Sequence, residues 1–258
     1  MPYMRLAGKS GVVTGSASGL GREVVLAACA EGARVVGLDR NAEAGQQVVD
    51  EAVAAGGAAV FEPGDVARED DVAAAISRCV DRFGGLDFMH SNAAIQVIGA
   101  LDEASDGDWE RVLSVNVMGA VWGCKHAVAA MRANGGGSIV ITASISSLVG
   151  DPLLPAYTTT KTALLGLMRS TAIAHAADGI RCNCVCPGDM DTPMLQEYFD
   201  AAPDPAAARR EVELAYPGKR IAQPREVAMA VLFLLSDESS FVNGTFIVVD
   251  GGLTVSPY

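Results

Sequence analysis

Runs of β-prone apolar residues alternate along the chain with segments whose apolar residues recur at helical spacing. The β-prone runs predict seven strands: Ser10–Thr14, Arg34–Leu38, Ala58–Glu62, Leu86–Ser91, Ser138–Thr142, Arg181–Cys186 and Phe246–Val249. The helical patterns predict six helices: Gly21–Glu31, Ala42–Ala54, Glu69–Phe83, Asp108–Ala133, Ala156–Ala176 and Arg225–Leu235. This alternation is typical of an α/β fold in which helices cover both faces of a doubly wound parallel sheet.

The chain of 258 residues contains no repeat, linker or low-complexity tract, which favours one domain over residues 1–258. The segment Asp189–Gly218 departs from the alternation and is long for a connection, so we expect it to form a lid, and we call it the lid segment. Its larger apolar and aromatic side chains are Met190, Met194, Leu195, Tyr198, Phe199 and Tyr216. With Ile95–Ile98 and Ile145–Leu154 they would line an apolar substrate pocket, unless they only pack against one another.

Composition and charge narrow the classes of partner. Hydrophobic residues make up 50% of the chain, as expected for a sheet buried under helices. A net charge of −12 argues against nucleic acid or an anionic membrane surface as a partner. The N-terminal segment MPYMRLAGKS lacks the apolar stretch of a signal peptide, and the longest apolar run, Val227–Leu235, is too short to span a bilayer. We therefore expect a cytoplasmic protein without a membrane partner.

Three of the six cysteines, Cys182, Cys184 and Cys186, alternate along one predicted strand and so share a face. A metal site can be imagined there, but no second pair of Cys or His residues lies nearby at a ligand spacing. Reduced cysteine is among the most buried residue types. We interpret the three thiols as core and predict no metal.

A glycine-rich turn, within the sequence GVVTGSASGLG of Gly11–Gly21, joins the first predicted strand to the first predicted helix. Such a turn points backbone N–H groups and a positive helix N-terminus at a phosphate. Its spacing is G-x-x-x-G-x-G, and taken alone it could be an ordinary turn. As a cofactor site it would place a dinucleotide pyrophosphate at Gly15, Ser18, Gly19, Leu20 and Gly21.

The choice between NAD and NADP depends on two residues after the second predicted strand. Asp39, eighteen positions after Gly21, can accept hydrogen bonds from ribose hydroxyls and would repel a 2′-phosphate. Arg40 beside it is the residue type that a 2′-phosphate prefers, so NADP is the alternative. Because the glycine turn contains no Lys or Arg, the sequence predicts NAD.

Further candidate contacts follow the next two strands. Asp65 could accept from the adenine amine while the N–H of Val66 pairs with the ring, although an Asp here could also be a plain turn residue. Asn92 and Ala93 follow the fourth strand and leave room for backbone to approach a ligand. His90 before them is interpreted as a core side chain.

Ser144, Tyr157 and Lys161 could carry acid–base chemistry. Tyr157 and Lys161 are four residues apart, so on a helix they share a face with Cβ atoms about 5–6 Å apart. An unperturbed phenol has a pKa of about 10, and a nearby cation favours the phenolate. Tyr157 could then take a proton from an alcohol or give one to a ketone, with Ser144 holding the substrate oxygen. A Y-x-x-x-K pair is also common on helix surfaces.

The motifs together resemble the short-chain dehydrogenase/reductase family over the whole chain. The matching residues, in order, are Thr14-Gly15, Gly19-Leu20-Gly21, Asp65-Val66, Asn92-Ala93, Asn116, Ser144, Tyr157, Lys161, Pro187-Gly188 and Val249-Asp250-Gly251-Gly252. The resemblance implies a Rossmann-type fold and a catalytic tetrad of Asn116, Ser144, Tyr157 and Lys161. It also implies that Lys161 bonds the nicotinamide ribose and that Thr192 binds the carboxamide, with Tyr157, Pro187, Gly188 and Met190 as further cofactor contacts.

Two positions depart from the family pattern. The usual N-N-A-G reads Ser91-Asn92-Ala93-Ala94, so the methyl group of Ala94 stands beside the cofactor. The other departure is the predicted strand that carries Cys182, Cys184 and Cys186.

Asn116, on an otherwise apolar helix face, can also be read as a buried structural amide.

The function expected is NAD-dependent transfer of hydride between a hydrophobic secondary alcohol or ketone, with cyclic compounds as candidates, and nicotinamide. An NADPH-dependent ketoreductase of the 3-oxoacyl-carrier-protein type is the alternative, and Arg209, Arg210, Lys219 and Arg220 leave it open. A third and remote alternative is a non-catalytic nucleotide sensor. Asp108–Ala133 and Thr162–Ala177 are apolar over more than one face, which predicts a homo-oligomer, most simply a homotetramer.

Overall fold

The computed structural model describes residues 4–256, in which seven strands form one parallel sheet of order β3-β2-β1-β4-β5-β6-β7. The strands are β1 (Ser10–Thr14), β2 (Arg34–Asp39), β3 (Ala58–Pro63), β4 (Phe88–Ser91), β5 (Gly137–Thr142), β6 (Ile180–Pro187) and β7 (Phe246–Val249). The predicted fold class is confirmed. Residues 1–3, which begin the N-terminal segment, and residues 257–258, at the end of the predicted domain, lie outside the described residues.

Helices cover both faces of the sheet. Their bounds are α1 (Gly19–Ala30), α2 (Ala42–Ala54), α3 (Glu69–Phe83), α4 (Asp106–Leu113), α5 (Gly119–Asn134), α6 (Pro155–His175), α7 (Pro193–Asp200), α8 (Pro205–Ala215) and α9 (Pro224–Leu235). One apolar core lies between the sheet and α1, α2 and α9, and a second lies between the sheet and α3, α5 and α6. The sheet is therefore buried on both sides, as its nearly continuous apolar strands require.

The long helix expected at Asp108–Ala133 is interrupted. A π-helical turn at Ser114–Met118 separates α4 from α5 and contains Asn116. Such turns insert one extra residue and are frequent at functional sites. Apolar periodicity does not reveal a one-residue insertion, so the interruption could not be expected from the sequence pattern.

The lid segment, expected as a lid that departs from the strand–helix alternation, contains two helices, α7 and α8. Each begins with proline in its first turn, after a residue whose side chain accepts from a backbone N–H of that turn. Thr192 accepts from Leu195, and Asp204 accepts from Ala207. A capping residue followed by proline is a start signal that apolar spacing alone does not show.

The strand order reverses between β1 and β4, which are hydrogen-bonded neighbours. Because the connections leave these two strands in opposite directions, a crevice opens beyond their carboxyl ends. Gly21 lets α1 start close against the preceding turn, since a Cβ there would collide with the carbonyl oxygen of Gly15.

Cys182, Cys184 and Cys186 are fully buried on one face of β6, in the core that also holds Cys124. Burial raises the pKa of the Cys184 and Cys186 thiols, so they stay protonated. Within residues 4–256, no group of three or more His, Cys, Asp or Glu side chains is arranged to hold a metal ion. None of the helices in the same range is long and apolar enough to cross a bilayer.

Candidate active site

A cavity of about 610 Å³ occupies the crevice beyond β1 and β4. Most of the predicted cofactor contacts line it, namely Gly15, Ser18, Gly19, Leu20, Asp39, Arg40, Asp65, Val66, Asn92, Ala93, Tyr157, Lys161, Met190 and Thr192. Gly21, Pro187 and Gly188 do not line it. Gly21 instead packs α1 against the glycine turn, and Gly188 lies against the hydroxyl of Tyr216.

The N-terminus of α1 faces this cavity without a side-chain cap. Ser18 precedes the helix but its side chain makes no capping hydrogen bond, and the first turn has no acidic residue. Gly19 has a φ of +51°, and a Cβ there would lie 3.2 Å from the Thr192 methyl group. These features leave backbone N–H groups and a positive helix end available in a narrow gap, which fits a pyrophosphate.

At the other end of the cavity lie two oppositely charged residues, Asp39 and Arg40. The Asp39 carboxylate accepts from the backbone N–H groups of Ala17, at 3.0 Å, and Asn41, at 2.9 Å. Arg40 forms a long ion pair of 3.7 Å with Asp65. The guanidinium is thus directed at a carboxylate of the chain, while Asp39 is held rigidly at the cavity wall.

Asn92 lines the cavity but its side chain serves the fold. Its Nδ2 donates to the carbonyl oxygen of Thr14 at 3.1 Å, and its Oδ1 accepts from the hydroxyl of Thr142 at 3.2 Å. The amide therefore clamps the glycine turn to β5. Ala94 also lines the cavity, and among the described residues Lys219 is the one non-glycine with positive φ, so Ala94 needs no glycine backbone.

Tyr157 and Lys161 meet as predicted on one face of α6. The Nζ of Lys161 lies 5.4 Å from the centre of the Tyr157 ring and donates to the carbonyl oxygen of Thr142 at 2.7 Å. Ser144 hydrogen-bonds the phenol, which lowers its pKa. Ser144 follows the end of β5, and Tyr157 and Lys161 lie in the first two turns of α6. The sheet and the helix therefore fix their relative positions.

The pKa of the phenol differs from the sequence-based expectation. Burial raises the pKa of Tyr157 to about 12, and Asp189 raises it further, against the Ser144 hydrogen bond. Burial also lowers the pKa of Lys161 to about 8. Burial outweighs the Ser144 hydrogen bond, so these surroundings do not bring the pKa of the phenol into the neutral range.

His90 is buried, as expected, and its Nε2 pairs with the Thr142 hydroxyl at 2.9 Å. Since that hydroxyl donates to Asn92, Nε2 must carry the proton, and Nδ1 has no partner within the described residues. Burial, with the charge of Lys161, lowers the pKa of His90 to about 3. The ring is neutral and belongs to the scaffold behind Lys161.

Asn116 is 2% exposed in the π-helical turn. Its Oδ1 accepts from the N–H of Ile95 at 2.8 Å, and its Nδ2 donates to the Ile95 carbonyl and to the Thr160 hydroxyl. Both ends of the amide are satisfied, so the side chain ties the loop after β4 to α6. Its membership of the tetrad stays a prediction.

Fewer apolar side chains of the lid segment line the cavity than the sequence predicts. Met190 and Met194 line the cavity, whereas Phe199 and Tyr216 are 1% and 3% exposed and form the inside of the lid. Gln96 donates to the carbonyl oxygen of Met194 at 2.9 Å, which links the loop after β4 to the lid.

Asp189, directly after Pro187 and Gly188, does not line the cavity but acts electrostatically on the site, which was not expected from the sequence. Its carboxylate accepts from the hydroxyl of Tyr216 at 2.8 Å, and it acts electrostatically on Tyr157. An acidic residue immediately after the sixth strand, at the functional edge of the sheet, was the available signal.

Comparison with known proteins agrees with this geometry. The family model described as Enoyl-(Acyl carrier protein) reductase matches residues 15–254. The chain is 39% identical over 247 residues to cyclohexanol dehydrogenase of Acinetobacter sp. (strain SE19), covering 95% of each chain. It is 40% identical over 251 residues to 2,5-dichloro-2,5-cyclohexadiene-1,4-diol dehydrogenase of Sphingobium indicum, covering 96% of this chain and 98% of the relative. The solved structure of levodione reductase superposes with a TM-score of 0.94 at 31% identity, covering 98% of this chain and 100% of that one.

Proposed function

The chain belongs to the short-chain dehydrogenase/reductase family, and we propose that it is an NAD-dependent dehydrogenase of hydrophobic cyclic secondary alcohols. Membership of this family makes the chain an oxidoreductase. We further propose its cofactor, a cyclic substrate and the roles of its residues. The observation that carries it is the convergence of an uncapped helix N-terminus, Tyr157 and Lys161 on one cavity. Two relatives, named for cyclohexanol and for a cyclic diol, support the proposal that the substrate is a ring alcohol.

Each residue has a role that follows from its contacts. Tyr157 takes the hydroxyl proton of the alcohol, or returns it to a ketone, because its phenol faces the cavity beside a cation. Ser144, hydrogen-bonded to that phenol, orients the substrate oxygen. Lys161 supplies positive charge and a donor for the nicotinamide ribose. Bound NAD supplies the hydride acceptor and a further positive charge that favours the phenolate.

NAD is favoured over NADP by the charges at the far end of the cavity. Asp39 is held by two backbone N–H groups, so its carboxylate stays at the wall, where it would repel a 2′-phosphate. Arg40 is directed at Asp65. The remaining lining residues, from the glycine turn to Thr192, would hold the pyrophosphate and nicotinamide.

The 3-oxoacyl-carrier-protein reductase alternative shares the acyl-carrier substrate, but not the ketone, with the description of the matching family model, Enoyl-(Acyl carrier protein) reductase. Of the four cations that leave this alternative open, however, all but Arg210 are engaged by the chain itself. Arg209 pairs with Asp191 and Glu213, Arg220 pairs with Glu226, and Lys219 donates to a backbone carbonyl. Cations engaged by their own chain are less available to an acyl-carrier phosphate.

The proposal extends to organisation and location. We place the catalytic site in a single domain whose lid segment closes over the substrate, in a cytoplasmic homotetramer. Ile173 on α6 is 82% exposed, and an oligomer that uses this helix would cover it.

The test is a panel of secondary alcohols offered with NAD and, separately, with NADP, followed by the absorbance of the reduced nicotinamide. We expect turnover of cyclohexanol and related ring alcohols with NAD. Turnover confined to small hydrophilic polyols, or to NADPH-dependent reduction of 3-oxoacyl thioesters, would contradict the proposal.

A further inference from the structure

The N-terminal half of α7 forms part of the cavity wall. Pro193, Met194 and Glu197 of this helix line the cavity. Thr192, which caps the helix, lies opposite the glycine turn, since a Cβ added to Gly19 would come within 3.2 Å of its methyl group. The gap that fits a pyrophosphate is therefore bounded by α7 on one side and by the glycine turn on the other.

Few bonds hold this half of α7 in place. Phe199, which is 1% exposed, anchors the C-terminal end of the helix, and the guanidinium of Arg209 on α8 lies over its ring. The N-terminal half is held by Gln96, whose Nε2 donates to the carbonyl oxygen of Met194 at 2.9 Å. Among residues 4–256, this is the one hydrogen bond or ion pair between α7 and a residue outside the lid segment.

Gln96 is presented from a rigid support. The backbone N–H and carbonyl of its neighbour Ile95 are both bonded to the side chain of Asn116, at 2.8 and 2.9 Å. Nδ2 of Asn116 also donates to the hydroxyl of Thr160, which donates to the carbonyl oxygen of Tyr157 at 2.8 Å. A continuous set of hydrogen bonds therefore connects the first turns of α6 to the lid, and Gln96 makes the last link.

We propose that Gln96 is a positioning residue that holds α7 over the cavity and thereby slows release of the nicotinamide coenzyme. The inference rests on the proposed function in taking a dinucleotide as the occupant of the gap. Without the Gln96 bond, the Met194 end of α7 is free to move away from the glycine turn, and the gap widens. A neutral hydrogen bond of this kind allows an effect of about two- to tenfold.

The first measurement is amide hydrogen exchange over α7 in the free protein, which needs neither coenzyme nor substrate. Gln96→Met removes the donor, and Gln96→Glu replaces it by an acceptor facing the Met194 carbonyl. The matched control is Gln196→Met, because Gln196 lies on α7 and pairs with Asp200 of the same helix at 2.7 Å. We expect exchange to quicken about two- to tenfold in both Gln96 variants and less than about twofold in the control.

The second measurement is the rate of NADH release, followed by stopped-flow fluorescence when the complex is mixed with excess NAD. Gln96→Met should release NADH about two- to tenfold faster than the wild type, and Gln196→Met at the wild-type rate. The melting temperature stays near that of the wild type, because Gln96 belongs to neither apolar core. If Gln96→Met does not fold, Gln96→Glu decides the matter.

The inference is overturned if the Gln96 variants release NADH no faster than Gln196→Met, or if exchange over α7 is unchanged in them. The proposed function fails separately, if the wild type oxidises no ring alcohol with NAD. The release measurement then uses whichever of NADH and NADPH the protein binds, and a protein that binds neither overturns the inference as well.

Discussion

Lys161 lies one helical turn beyond Tyr157, with its Nζ 5.4 Å from the centre of the phenol ring. It is anchored to the end of β5 by its hydrogen bond to the carbonyl oxygen of Thr142. Burial moves the two pKa values in opposite directions, to about 8 for Lys161 and about 12 for Tyr157. The surroundings thus keep the phenol protonated at neutral pH and leave Lys161 mostly cationic, and any added positive charge beside the phenol favours its ionised form.

Removing the charge of Asp189 should move the pH dependence of alcohol oxidation. Ser144 hydrogen-bonds the phenol, Lys161 lies beside its ring, and the charge of Asp189 acts on its pKa. The carboxylate stabilises the protonated phenol and so raises its pKa. In Asp189→Asn that pKa falls, and the rise of kcat/KM with pH occurs at lower pH. Profiles of cyclohexanol oxidation with NAD check this; a rise that stays in place, or moves to higher pH, would count against it.

Asp39→Ala should change cofactor preference. Without the carboxylate, a 2′-phosphate is no longer repelled, so the ratio of kcat/KM for NAD to that for NADP falls by about tenfold or more. Asp50→Ala, an exposed acid on α2, is the control and keeps the ratio. If the wild type already prefers NADP, the assignment of NAD is wrong.

Gly19→Ala should weaken NAD binding. Gly19 has a positive φ, and its added methyl group would enter the gap facing Thr192. Gly56→Ala is a matched control, since Gly56 has a φ of +89° and a methyl group added there would have nothing within 4 Å. Both variants lose about 1–2 kcal/mol of unfolding free energy to backbone strain, but we expect Gly19→Ala alone to raise KM for NAD. Equal KM values would remove the glycine turn from the cofactor site.

Ile173→Asp should reduce the size of the assembly. The side chain is 82% exposed on α6, and a carboxylate in an apolar interface carries a large desolvation cost. Light scattering should give a tetramer for the wild type and a smaller species for the variant. Val53→Asp, at an exposed position on α2, should keep the wild-type mass. A monomeric wild type would contradict the expected oligomer.

Much of the fold follows from patterns that the sequence displays. The strands of a sheet buried on both sides are short apolar runs bounded by turns, so their positions and the place of the glycine turn could be predicted. The π-helical turn at Asn116 could not, because one inserted residue hardly disturbs the apolar rhythm. The starts of α7 and α8 are signalled in the sequence by caps followed by proline, which the apolar pattern does not show.

For the site, the sequence placed Tyr157 and Lys161 together because helix geometry fixes residues four apart. It did not reveal how strongly burial would oppose ionisation of the phenol, since desolvation depends on the packing of distant segments. The Asp189–Tyr216 pair joins residues 27 positions apart, across the lid, and only the folded chain shows it.

The most direct test of the account compares the wild type with Tyr157→Phe in NAD-dependent oxidation of a cyclic secondary alcohol, with NAD affinity measured alongside by calorimetry. Loss of the hydroxyl removes the acid–base group but leaves the aromatic ring and all the other cofactor contacts, so kcat should fall by about 10²–10⁴-fold while the Kd for NAD is unchanged. A variant that oxidises the alcohol as fast as the wild type would contradict the central claim.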